Sequence, residues 1–156
     1  MADDRVTLLE GKPRRTAVIA DTVAWQDFPN LWRPMLDEVY VFVRQCPEFA
    51  AALQGSPGPH WTNVMLYRGE APNVEVGVLA PSAFTPRGRV IESALPGGRV
   101  ATATHHGNPA TIGETHDQVR AYARDNGLEL TGTVWEVYGH EDGSGSFAIE
   151  VFHLLA

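Results

Sequence analysis

Apolar and β-branched residues first gather in Arg15-Thr16-Ala17-Val18-Ile19-Ala20, a run with the make-up of a β-strand. The spacing then changes. Leu31, Trp32, Met35, Leu36, Val39 and Val43 recur every three or four residues, which predicts a helix with one buried face. Asp27 or Asn30 is placed to cap its start, and Pro34 is tolerable only in the first turn, because proline lacks the amide hydrogen that an interior position donates. Past the glycine- and proline-rich loop 54–59, residues 61–67 and 74–79 read as two strands joined by Arg68-Gly69-Glu70-Ala71-Pro72-Asn73, hence a hairpin. Residues 83–87 read as a linker. Arg89-Val90-Ile91-Glu92 opens another extended stretch before the turn Pro96-Gly97-Gly98.

The order then repeats, with a strand over 99–104, a helix over about 111–126 and strands near 134–138 and 147–154. Ile112, Thr115, Val119 and Tyr122 mark one face of the second helix, and Gly127 after Asn126 marks its stop, since glycine accepts positive φ. Residues echo the order: Val74-Glu75-Val76 with Leu79 matches Ile149-Glu150-Val151 with Leu154, residue 149 falling 75 after residue 74. Trp61 and Trp135 lie within one residue of the same offset. The pattern predicts one α+β domain over 1–156, with a first unit at about 6–80, a linker at about 81–88 and a second unit at about 89–156. Its architecture is a pair of duplicated β-α-β-β units forming a pseudo-twofold antiparallel sheet, two helices on one side and a ligand cleft on the other.

Composition narrows the function. At 156 residues and 44% hydrophobic the chain can supply its own core. Its 12 basic and 19 acidic residues give a net charge of −7, which repels phosphate backbones and anionic membrane surfaces, so nucleic acid is not expected as a direct partner. The acidic residues form no long block of the kind that would mimic nucleic acid. Cys46 is the only cysteine, which excludes an internal disulfide and fits a reducing cytoplasm. Asp3 and Asp4 near the start, with no apolar run after them, give neither a signal peptide nor a membrane span. His60, His105, His106, His116, His140 and His153 show no metal-ligand spacing with a carboxylate, so neither metal nor cofactor is expected, and His105 and His106 should point to opposite faces of one strand. Gly143-Ser144-Gly145 is too short for a phosphate loop.

The segments Leu95-Pro96-Gly97-Gly98-Arg99-Val100-Ala101, Asn126-Gly127, Val134-Trp135-Glu136-Val137-Tyr138 and Ile149-Glu150-Val151-Phe152, in that order, resemble the bacterial GyrI-like (gyrase-inhibitor-like, SOUL-like) effector-binding domains. The resemblance covers nearly the whole chain. It implies binding of hydrophobic, often cationic, small molecules in a cleft between the halves, with a buried glutamate on the strand after the second helix. Glu136 matches that position, and Glu150 with Phe152 matches a second acidic position and its aromatic neighbour. The sequence departs from the family at Val100, where tyrosine is frequent, and in the acidic loop His140-Glu141-Asp142-Gly143-Ser144-Gly145. With no helix-turn-helix before Arg15, a DNA-binding regulator of the fused type is not expected.

Strand alternation puts Val134, Glu136 and Tyr138 on one face and Trp135 and Val137 on the other. If Trp135 packs under the helices, Glu136 faces the cleft, and the repeat sets Trp61 against it. On residues alone a solvated Glu136 is the plainer reading; the resemblance favours the cleft. Trp25 and Trp32 read as core. The predicted ligand contacts are therefore Glu136, Tyr138, Trp61, Phe152 and Glu150. Three activities follow: a stand-alone binder of lipophilic cations, a hydrolase opening the cyclopropane of DNA-alkylating natural products with Glu136 and Tyr138 as catalytic pair, and a gyrase-inhibiting interaction module.

Overall fold

A computed structural model describes residues 6–52, 61–69, 72–139 and 147–156. Its elements are β1 (Thr7–Gly11), β2 (Arg14–Thr22), α1 (Phe28–Arg44), α2 (Pro47–Ala52), β3 (Asn63–Arg68), β4 (Asn73–Leu79), β5 (Ile91–Leu95), β6 (Gly98–Gly107), α3 (Ile112–Asp125), β7 (Leu130–Tyr138) and β8 (Phe147–Leu155). The chain is α+β with antiparallel strands, as the sequence pattern predicts. The acidic loop 140–145, with His140, and the loop holding His60 lie outside the described residues.

Two compact units form, and they cut across chain order. Arg14–Leu95 makes the α1 unit; Met1–Pro13 with Pro96–Ala156 makes the α3 unit. In the α1 unit the strands run β3-β4-β2-β5, and in the α3 unit β7-β8-β6-β1. Each has the same plan: a hairpin, the strand preceding its helix, and an added edge strand. The edge strand comes from elsewhere in the chain. Strand β1 lies next to β2 in sequence yet pairs with β6, while β5 precedes β6 yet pairs with β2. Turn signals place such strands but not their partners, which tertiary pairing decides.

In the α1 unit, Met35, Leu36, Val39 and Val43 of α1 are buried as the periodicity predicts, Phe42 joins them, and the first turn departs: Leu31 is exposed and Trp32, read as core, is only half-buried. Val74, Val76 and Val78 of β4 are inaccessible. Gly77 is required where β4 crosses β2, because a Cβ there would lie 2.0 Å from the Ala17 carbonyl oxygen. Pro34 sits beyond the first turn of α1, and Asp27 makes no side-chain cap. Pro29 near the helix start supplies the preset φ instead. Trp25 is also not core: it is 49% exposed, with its ring resting on Phe28 and Tyr67 at 6.0 and 5.2 Å.

In the α3 unit, α3 covers one face of its sheet. Val119 packs on Ala101, Ala103 and Leu155, small or aliphatic positions that let the helix sit close. Gly127 has φ of 66°, the predicted stop. His105 ties the end of β6 to the start of α3, with Nδ1 2.8 Å from Thr115 Oγ1 and Nε2 2.8 Å from the Asn108 carbonyl oxygen. His106 is exposed, so the two neighbours do take opposite faces.

Candidate functional site

Three elements of the α3 unit converge on Glu136. Along β8, alternation turns Ile149, Val151, His153 and Leu155 inward, and register sets Val151 opposite Glu136 and His153 opposite Val134. On α3 the buried stripe is Thr115, His116, Val119 and Ala123, so His116 points at the sheet rather than at solvent. These placements bring a carboxylate, two imidazoles and a phenol into one line.

Glu136 is 4% exposed. Its Oε1 accepts a hydrogen bond from the Tyr138 hydroxyl at 2.5 Å, and its Oε2 lies 2.7 Å from His116 Nε2. The other ring nitrogen of His116, Nδ1, lies 2.9 Å from Nε2 of His153, which is 2% exposed. An imidazole's two nitrogens point outward from opposite sides of the ring, so His116 is a bridge: carboxylate on one side, second histidine on the other. Burial, reinforced by the positive charges of His116 and Arg120, lowers the pKa of His153 from 6.5 to about 3. His153 is therefore neutral at physiological pH. A carboxylate this deep is tolerated because donors surround it.

Glu136 lies on the helix-bearing face. Trp135, on the opposite face, stacks on Phe152 with centroids 5.5 Å apart and planes 13° off parallel. The premise that Trp135 packs under the helices is thus reversed, and with it the expectation that Glu136 faces a cleft on the side away from the helices: Glu136 lies beneath α3, the bulky indole has an aromatic partner across the strand pair, and the helix face is filled by alanines, valine and the histidine relay. Phe152 and the exposed Glu150 share the Trp135 face, so neither adjoins Glu136. Trp61, 9% exposed, belongs to the α1 unit, where its ring contacts Tyr40 and Phe49 at 5.8 and 6.2 Å. Its indole nitrogen has no hydrogen-bond partner among the described residues. Of the five predicted contacts, the structure joins Glu136 and Tyr138 directly. It adds His116 and His153, which spacing did not expose because they stand 37 residues apart on a helix and a strand. A cavity of about 260 Å³ in the α1 unit, lined by Phe42, Cys46, Glu48 and Arg87 among others, involves none of the predicted residues. No group of three or more His, Cys, Asp or Glu side chains among the described residues is arranged to hold a metal ion. Nor is any helix among them long and apolar enough to cross a membrane.

Among solved structures, the chain is similar to the EcmrR C-terminal domain, at 18% identity and a TM-score of 0.68 over 97% of both chains. It is similar to SAV2435 bound to tetraphenylphosphonium, at 12% identity and 0.63, over 97% of this chain and 94% of that one. A hydrolase encoded by lin2189 from Listeria innocua matches at 7% identity and 0.63, over 99% and 93%. The fold is that of the GyrI-like effector-binding domains. No protein-family model matches the chain, and no curated protein does.

Proposed function

We propose that the protein binds hydrophobic cations, with Glu136 as counter-ion. The observation that carries this reading is a carboxylate that is 4% exposed, reached by a phenol and an imidazole and set among apolar strand residues. Burying a carboxylate is costly, and a cation that arrives without a tight water shell offsets that cost best. Tyr138, half-buried on the same face, offers its ring to the ligand, an attraction worth ~0.5 to 2 kcal/mol. The likeness of fold to SAV2435, a structure bound to tetraphenylphosphonium, supports the ligand class. Phe152 and Glu150, on the other face, fall outside this contact set, and Trp61 belongs to the α1 unit.

Thermal shift with tetraphenylphosphonium tests it. At 100 times Kd the ligand adds about 2.7 kcal/mol, or roughly 5–10 °C. Glu136→Gln is expected to remove most of that shift while Phe152→Ala leaves it in place. A flat response in the unaltered protein defeats the proposal.

A second reading is favoured by the phenol-carboxylate-imidazole chain, which contains the parts of general acid–base catalysis. Here Glu136 takes a proton from water as its oxygen bonds to a cyclopropane carbon, the ring C–C bond breaks with its electron pair moving to the conjugated carbonyl that Tyr138 polarises, and the enolate so formed takes up the proton from Glu136. Mass spectrometry would show a cyclopropane-bearing alkylator gaining one water under catalytic protein concentrations, lost in Glu136→Gln. No gain of water leaves only the binder.

A further inference from the structure

We infer that His116 is the site's resident cation, holding a proton against Glu136 until a cationic ligand arrives, so that ligand binding at Glu136 expels that proton. The inference rests on the cation-binding reading of Glu136.

The hydrogen-bond inventory carries it. With His116 neutral, Nε2–H donates to Glu136 and Nδ1 accepts from Nε2–H of His153. With His116 protonated, both its nitrogens donate, and His153 accepts at Nε2 while carrying its own hydrogen on Nδ1. Every bond of the line survives in both states. The line therefore gains one proton without breaking, through a tautomer change at His153 and a shift of one hydrogen across the 2.9 Å gap. His153 accepts and does not keep the charge, in keeping with its lowered pKa.

The groups facing His116 agree with this role. From β7 come the Glu136 carboxylate and the Tyr138 hydroxyl bound to it. From β8 comes His153. From β6, His105 lies on the same face, but its nitrogens are engaged by Thr115 and Asn108. On α3 itself, Arg120 sits one turn on and is paired with Asp117 at 3.0 Å. Among the described residues, Glu136 is the one carboxylate of the hydrogen-bonded line. It can compensate one buried cation; a second within a few ångströms is disfavoured by like-charge repulsion at low dielectric. Tyr138 is the less buried of the two donors, so a ligand cation enters at Oε1 and His116 stays on Oε2 as a neutral donor.

Calorimetry of tetraphenylphosphonium binding near pH 6.5, in two buffers of unequal ionisation enthalpy, counts the protons exchanged. A net release of protons, at most one per cation, is expected. His116→Asn keeps an N–H donor but cannot be protonated; it is expected to bind the cation with no pH-dependent release, and His116→Gln serves if that variant does not fold. The neutral triphenylphosphine oxide is expected to bind without release. Cation binding with no proton exchange in the unaltered protein overturns the inference and leaves the binder reading intact. Equal release in the His116 variant overturns the assignment to His116. No cation binding at all overturns the binder reading and the exchange with it.

Discussion

Acid should weaken this fold through His153 before most of its carboxylates are protonated. The perturbation is acidification from pH 7.5 to 5.0, compared in the unaltered protein and in His153→Gln. The pKa of His153 falls from 6.5 to about 3 on folding, first because it is 2% exposed and second because His116 and Arg120 lie near. A folded pKa below the unfolded one means that the unfolded chain binds the proton more tightly. The stabilisation is thus complete above pH 6.5 and is lost as pH falls from there towards 3. One proton taken up on unfolding costs about 1.4 kcal/mol per pH unit, so pH 5.0 removes about 2 kcal/mol of an available ceiling near 5 kcal/mol. For a chain of this size that is roughly 4–8 °C of melting temperature. Urea unfolding at pH 7.5, 6.5, 5.8 and 5.0 reads the slope. His153→Gln should be less stable at pH 7.5, having lost a packed ring, but flatter by about 2 kcal/mol across the series. Parallel slopes in the two proteins would refute the reasoning, since they would mean that His153 titrates alike folded and unfolded.

Other perturbations test the scaffold. Val119→Ala, at the inaccessible centre of the α3 packing, should cost about 1–3 kcal/mol in urea unfolding with an unchanged m-value. Gly77→Ala forces a methyl to within 2.0 Å of a backbone oxygen and should cost more than about 3 kcal/mol or yield insoluble protein; a variant as stable as the original would show that β2 and β4 separate freely. Burial raises the pKa of the Cys46 thiol, whose Sγ lies 3.3 Å from Glu48 Oε2, so alkylation near pH 8 should be slow in the native protein and fast in urea. Tyr138→Phe removes a donor from a buried carboxylate and should lower stability by about 1–3 kcal/mol, measured in the same way.

The order of elements was legible because each carries a local signal. The three- and four-residue spacing of α1 runs through Met35, Leu36, Val39 and Val43, and all four are buried. Gly127 ends α3 by its φ, and the offset of 75 pairs β4 with β8, strands that hold the same place in their units. Strand partners carry no such signal. Nothing in Thr7-Leu8-Leu9-Glu10-Gly11 says that it joins a strand some 90 residues away rather than the one that follows it, because pairing is decided by which sheet edge is left open.

The site was legible in part for a related reason. Alternation along β7 fixes that Glu136 and Tyr138 share a face and that Trp135 does not, yet it leaves open which face the helix covers. The cleft-facing Glu136 was conditional on the tryptophan lying beneath the helix. That condition fails because Trp135 has a stacking partner in Phe152 on the far side. A preference for apolar residues hid the relay. Reading the inward stripe of α3 from apolar residues selects Ile112, Thr115, Val119 and Tyr122, whereas the buried stripe is Thr115, His116, Val119 and Ala123. The two stripes differ by a small rotation of the helix, about the width of one side chain, and a histidine occupies the position gained. A polar residue turns inward only where partners await it, and those partners come from β7 and β8, beyond the reach of any local window. An inward polar residue on an otherwise amphipathic helix, matched by a carboxylate on a buried strand, is therefore the sequence signature of a buried histidine–carboxylate line.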